Sequence, residues 1–116
     1  MRQSLPPRRH STTMDVWFLN ERYHVSFSKD DANRIREVFI HGPRAGSQMD
    51  ALAYDIGVAL SLGLQYGAAV ADLRHSMARL ENGDQASLVG AVLEVLEPLD
   101  GLDMFDEYAQ MQGAKK

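Results

Sequence analysis

The chain has 116 residues, 45% hydrophobic and 24% charged, with a formal net charge of −4 and no cysteine. This balance fits one globular domain with a real core, and the acidic charge argues against a general nucleic-acid binder. Lack of thiols excludes disulfides, thiolate metal sites and thiol or thiyl chemistry carried by this chain.

Residues 1–12, MRQSLPPRRHST, hold two prolines and three arginines and read as a flexible basic arm. No apolar segment follows Arg2, Arg8 and Arg9, so no signal peptide is expected. The longest apolar stretch, Val58 to Leu64, falls far short of the ~20 residues of a membrane span. A cytoplasmic protein without membrane partners is the expectation.

Residues 13–98 read as a single α+β domain. Thr13–Leu19, Glu21–Ser28 and Ile35–His41 are rich in β-branched and aromatic residues, which favour strands. Met14, Val16 and Phe18 alternate, as do Tyr23, Val25 and Phe27. Short connections at Asn20-Glu21 and Lys29–Arg34 predict an antiparallel meander. Val38 and Ile40 fall on one face of the third strand and Ile35 and Phe39 on the other, so it is expected to be central and covered on both sides. Trp17, Tyr23, Phe27 and Phe39 are expected mostly in the core.

A long central helix follows. Ser47 is the N-cap, Asp50 is placed to answer the cap's own amide, and Gly67 is the C′ residue of positive φ. Met49, Leu52, Ala53, Ile56, Ala59, Leu60, Gly63 and Leu64 recur at spacings of three and four and predict its buried face. Ala51, Tyr54, Val58 and Leu62 make the opposite face nearly as apolar, which predicts burial on nearly all sides. A second helix is expected over Val70–Leu80, ended by Asn82-Gly83-Asp84. A third is expected over Gln85–Leu96, capped by Asp84 and stopped by Pro98. Residues 99–116 read as an acidic tail or a short helix. From Glu94 to Glu107 there are six acids and no base. The meander of about three strands and three or four helices, with the long helix against the sheet, is the predicted architecture.

Four stretches together resemble the TSCPD domain. They are LPPRRHSTT, the β-rich run ending in EVFI, the turn with a basic residue before x-Gly46-Ser47, and LSLGLQYG closing the central helix. The matching positions are Leu5, Pro6, Arg9, Ser11 and Thr13, then Glu37–Ile40, Gly46, Ser47 and Ala59–Gly67, within residues 5–80. That domain occurs at the C-terminus of adenosylcobalamin-dependent, class II ribonucleotide reductases and as small free-standing proteins. The resemblance implies a place in deoxynucleotide metabolism, as an accessory or regulatory module related to ribonucleoside-diphosphate reductase. The reductase reaction uses cysteines and a large barrel, so this chain alone is expected to be non-catalytic. A reductase or another protein is the implied partner. The alternative is a self-associating domain with no ligand, a homodimer made by the small residues of the central helix and the charged ends.

The best candidate site in the residues is the turn before the central helix. Gly42, Arg44, Gly46, Ser47 and Gln48 combine helix-start amides, two glycines, a hydroxyl and a guanidinium, which suits an anion or a nucleotide phosphate. The P-loop lysine is missing. The plain alternative is a strand-to-helix turn with Ser47 used as its cap. Asp50 and Asp55 stand about 140° apart around a helix and do not pair. His10, His24, His41 and His75 show no metal-ligand spacing. Neither a catalytic set, a metal nor a cofactor is expected.

Overall fold

Alternation along the first strands produces a sheet with one dry face. The computed structural model describes residues 11–114. The arm expected over residues 1–12 lies outside them, except that Ser11 and Thr12 open the first strand. Strands β1 (Ser11–Phe18), β2 (Glu21–Lys29) and β3 (Ile35–His41) form an antiparallel meander in the order β1-β2-β3. Met14 faces Val25, which faces Ile40, and Phe27 faces Val38. Tyr23, Val25, Phe27, Val38 and Ile40 are buried as the alternation requires. The β1–β2 turn places Leu19 and Asn20 at φ +50° and +65°, a two-residue connection one position earlier than expected. Trp17 is 65% exposed and lies outside the core, because it falls on the opposite face to Val16.

The helices are α1 (Gln48–Gln65), α2 (Val70–Ser76), α3 (Leu88–Leu96) and α4 (Met104–Ala114), with a 3-10 turn at Glu97–Leu99. Leu88, Val92, Leu93 and Leu96 of α3 and Val70 of α2 join the sheet residues in one core. Helix α2 stops at Ser76, four residues short of expectation, because Met77 turns extended and the chain enters a hairpin. In that hairpin Leu80 N–H bonds Asp84 O, and Arg79 bridges Gln85. Asp84 is held in the turn by Asn82, so Ser87, not Asp84, caps α3 through Gly90 N–H. Pro98 ends α3 by way of the 3-10 turn.

The acidic segment folds back on the domain as α4. Three of its acids are spent on bases of β2, the β2–β3 turn and α2. Glu97 pairs with Arg74, Asp100 with Arg34, and Glu107 with Lys29. Asp103 caps α4 at Asp106 N–H. Three acids expected to be available for a clasp with a second chain are thereby used inside one chain.

Two expectations for α1 and β3 are corrected together. Strand β3 is an edge strand, not a covered central one, and α1 lies along its open edge. The buried face of α1 is Ala53, Gly57, Leu60, Ser61, Leu64 and Gln65, while Met49, Leu52 and Ala59 are exposed. The helix meets strand backbone on this side, so Gly57, Ser61 and Gln65 turn inward beside Leu60 and Leu64, and Met49, Leu52 and Leu62 are left outside.

Candidate functional site

The turn at 42–48 is built around one carboxylate. Ser47 caps α1, its Oγ accepting from Asp50 N–H at 3.1 Å and donating to Arg44 O at 2.7 Å. Asp50 does not return to the cap's amide. Its Oδ1 accepts from Gly42 N–H at 2.8 Å and its Oδ2 from Gly46 N–H at 3.1 Å. A Cβ on Gly42 would come within 2.8 Å of the Asp50 backbone, and Gly46 sits at φ +78°, so both positions favour glycine. The two amide hydrogen bonds hold the Asp50 carboxyl below its usual 3.8. It is therefore charged at neutral pH.

The predicted residues are thus adjacent but differently occupied. Gly42 and Gly46 already bind an anion, the protein's own. Ser47 is used as the cap. Arg44 and Gln48 are exposed. Beside the turn lies a shallow cleft of about 280 Å³ lined by His41, Gly46, Ser47, Asp50, Ala51, Tyr54 and Asp55. It carries two carboxylates, and Arg44 is not among its lining residues. An external phosphate there would have to displace Asp50 and would meet its negative field.

The most specific sequence stretch, Ser61 to Gly67, has a structural use. Ser61 Oγ accepts from Val38 N–H and donates to Val38 O, both at 2.9 Å, and so satisfies the outward-facing backbone of β3. Gln65 Nε2 donates to Arg36 O at 3.2 Å one step along the same edge. Gly57 lets the helix approach, since a Cβ there would lie 3.0 Å from Val38 O and 3.2 Å from Ile40 N. At the end, Ala68 N–H bonds Gly63 O and Gly67 N–H bonds Leu64 O, with Gly67 at φ +114°, a Schellman stop. Arg36 completes it, donating from Nη1 to Leu64 O at 2.8 Å and from Nε to Asp30 at 3.0 Å. Burial alone would raise the Asp30 carboxyl, but the Arg36 hydrogen bond and the Arg34 and Ala32 amides outweigh it and lower it. An open sheet edge is a liability, and a helix laid on it is one of the ways proteins manage it.

With that work on the inner side, the outer face of α1 is left apolar and exposed. Leu52 is 51% exposed, Leu62 40% and Tyr66 65%, with Val58 beside them. Their spacing places them on the side away from β3. Gln48 and Asp55 are the polar residues of that side.

The titratable residues of the outer sheet face form pairs rather than a centre. His24 Nδ1 lies 2.8 Å from Asp15 Oδ1, and His41, its cross-strand neighbour, lies 3.8 Å from Asp50 Oδ1. Among the described residues no three potential ligands gather for a metal, and no hydrogen bond joins a serine or threonine hydroxyl to a histidine. No described helix is long and apolar enough to cross a membrane.

Sequence reasoning missed two functions of single residues. Asp50 as the turn's internal anion was legible only as a capping residue. Ser61 as an edge seal was legible only as an isolated polar position on an apolar helix.

A family model described as the TSCPD domain matches residues 2–99, which extends past the 5–80 read from motifs and takes in α3. Comparison with curated proteins and with solved structures returned no match.

Proposed function

Because the chain belongs to the TSCPD domain family, we propose that it is a non-catalytic accessory module related to ribonucleoside-diphosphate reductase, acting in deoxynucleotide metabolism by binding a partner protein. The observation that carries this reading is the exposed apolar side of α1, formed by Leu52, Val58, Leu62 and Tyr66. The helix is about 27 Å long and these residues line most of its length. Tyr66 is of a type enriched among the residues that dominate binding energy, and the aliphatic side chains around it would exclude water. The partner is a ribonucleotide reductase. Its contact surface is apolar with an acidic group at one rim, since Arg44 stands exposed at the N-terminal end of the helix. In this reading Arg44 and Gln48 meet that rim, and Gly42, Gly46 and Ser47 only shape the turn.

The test is calorimetric titration of the protein with the cell's own purified reductase, alongside a panel of ribo- and deoxyribonucleotides and inorganic phosphate. Saturable heat with the reductase supports the proposal. Nucleotide binding that is abolished by Arg44→Ala, with no response to the reductase, would replace it with a small-ligand site at the turn.

A further inference from the structure

The two edges of the sheet are treated differently. The β3 edge is sealed by Ser61 and Gln65 of α1. The β1 edge is not sealed in that way. Val38 turns its backbone groups away from β2, so Phe27, its partner, turns its own toward β1, and Thr12 answers Phe27. It follows that Thr13, Asp15 and Trp17 direct their N–H and C=O groups outward. None of these backbone groups has a hydrogen-bond partner among the described residues. The strand is eight residues long and carries no lysine, proline or bulge, devices that blunt an edge, and its one charge, Asp15, is paired with His24 and Arg22 of β2. Alongside it runs an apolar groove of about 580 Å³, walled by Met14, Val95, Pro98, Leu99 and Met111.

We infer that β1 pairs antiparallel with β1 of a second copy of this chain, joining two three-stranded sheets into one of six strands. The occupant is a second copy because the strand pairs with itself over nearly its whole length while its one charge, Asp15, meets a neutral residue. With Met14 on the two-fold axis, Thr13 lies opposite the partner's Asp15 and Ser11 opposite the partner's Trp17. Both are hydrogen-bonded pairs that use the outward groups. Met14 meets the partner's Met14 and Thr12 meets the partner's Val16 on the core side, beside the groove. No like charges are opposed. Sliding toward the C-terminal end of the strand would set Asp15 against the partner's Asp15, which is disfavoured, and sliding the other way, with Thr13 on the axis, would leave Trp17 unpaired and shorten the ladder. This interface is separate from the outer face of α1, so the two readings stand or fall independently.

The test is mass in solution combined with a site-specific cross-link, which the absence of native cysteine makes unambiguous. The unmodified protein is expected at twice the chain mass. Met14→Cys is expected to form an interchain disulfide on mild oxidation, because directly opposed residues of a non-hydrogen-bonded pair lie within disulfide reach. Leu62→Cys, on the outer face of α1, is expected not to. Thr13→Pro removes an outward N–H and the exposed hydroxyl contact to Ser26 but no bond of the β1–β2 ladder, so it is expected to give a folded monomer. A monomeric unmodified protein would overturn the inference, as would a dimer that cross-links through Leu62→Cys and not Met14→Cys. Should Thr13→Pro fail to fold, the Met14→Cys result decides alone.

Discussion

Lys29 and Glu107 form a buried ion pair at 2.7 Å across the join between β2 and α4, with side chains only 12% and 7% exposed. The ammonium group also donates to Leu99 O and Leu102 O, each at 2.7 Å, so its three protons are all used. The other oxygen of Glu107 accepts from Thr12 Oγ1 at 2.7 Å. One residue on the sheet thus organises the whole chain reversal from α3 to α4. Removing either partner strands a buried charge, and Lys29→Met or Glu107→Leu is expected to cost about 3–5 kcal/mol in urea unfolding. The double variant should cost clearly less than the sum, because neither charge is then left alone.

The edge seal gives a second expectation. Ser61→Ala leaves Val38 N–H and C=O buried without partners and should cost about 1–3 kcal/mol of stability. Gly57→Ala should cost a similar amount by forcing α1 off β3, about 1–3 kcal/mol as for overpacked sites. Thermal or urea unfolding measures both.

Asp50 gives a pH dependence. Its folded pKa lies below the ordinary 3.8 because the Gly42 and Gly46 amides bind the carboxylate. Between the folded value and 3.8 the unfolded chain binds a proton that the native state does not, so stability rises with pH through that window. The contribution is complete above 3.8 and lost as pH falls through the folded pKa. Asp50→Asn should therefore be less stable than the unmodified protein at neutral pH, with the gap closing below pH 3.8. Urea midpoints across that range check it.

Leu19 is 80% exposed and sits at φ +50° in the β1–β2 turn, where asparagine or glycine is less strained. Leu19→Asn should raise stability by about 0.5–1 kcal/mol, read from the thermal midpoint.

Much of the fold was legible because it rests on periodicity. Tyr23, Val25 and Phe27 alternate and are buried, and Ser47 and Gly67 bracket α1 as a cap and a stop should. The orientation of α1 was not legible, because a helix apolar all round carries no moment to say which side faces in. Tertiary demand decided it. The open backbone of β3 required Ser61, Gln65 and a close approach at Gly57, and this turned Leu52 and Leu62 outward. The candidate turn was recognisable by composition, but its glycines and hydroxyl read the same whether the bound anion is external or a side chain eight residues on. The tail was opaque for a similar reason. Nothing local separates Glu107, which is buried on Lys29, from Asp106 next to it, which is exposed.

Ser61 and Leu62 are neighbours in the sequence that face opposite ways, and they separate architecture from binding most directly. The decisive measurement is calorimetric titration of the reductase with the Ser61→Ala and Leu62→Glu proteins, paired with urea unfolding of each. Ser61→Ala should lose stability and, where still folded, keep its affinity. Leu62→Glu should keep its stability and lose about tenfold or more in affinity, roughly 1.4 kcal/mol. Unchanged affinity in Leu62→Glu would contradict the account, because it would mean that the apolar side of α1 is not where the partner binds.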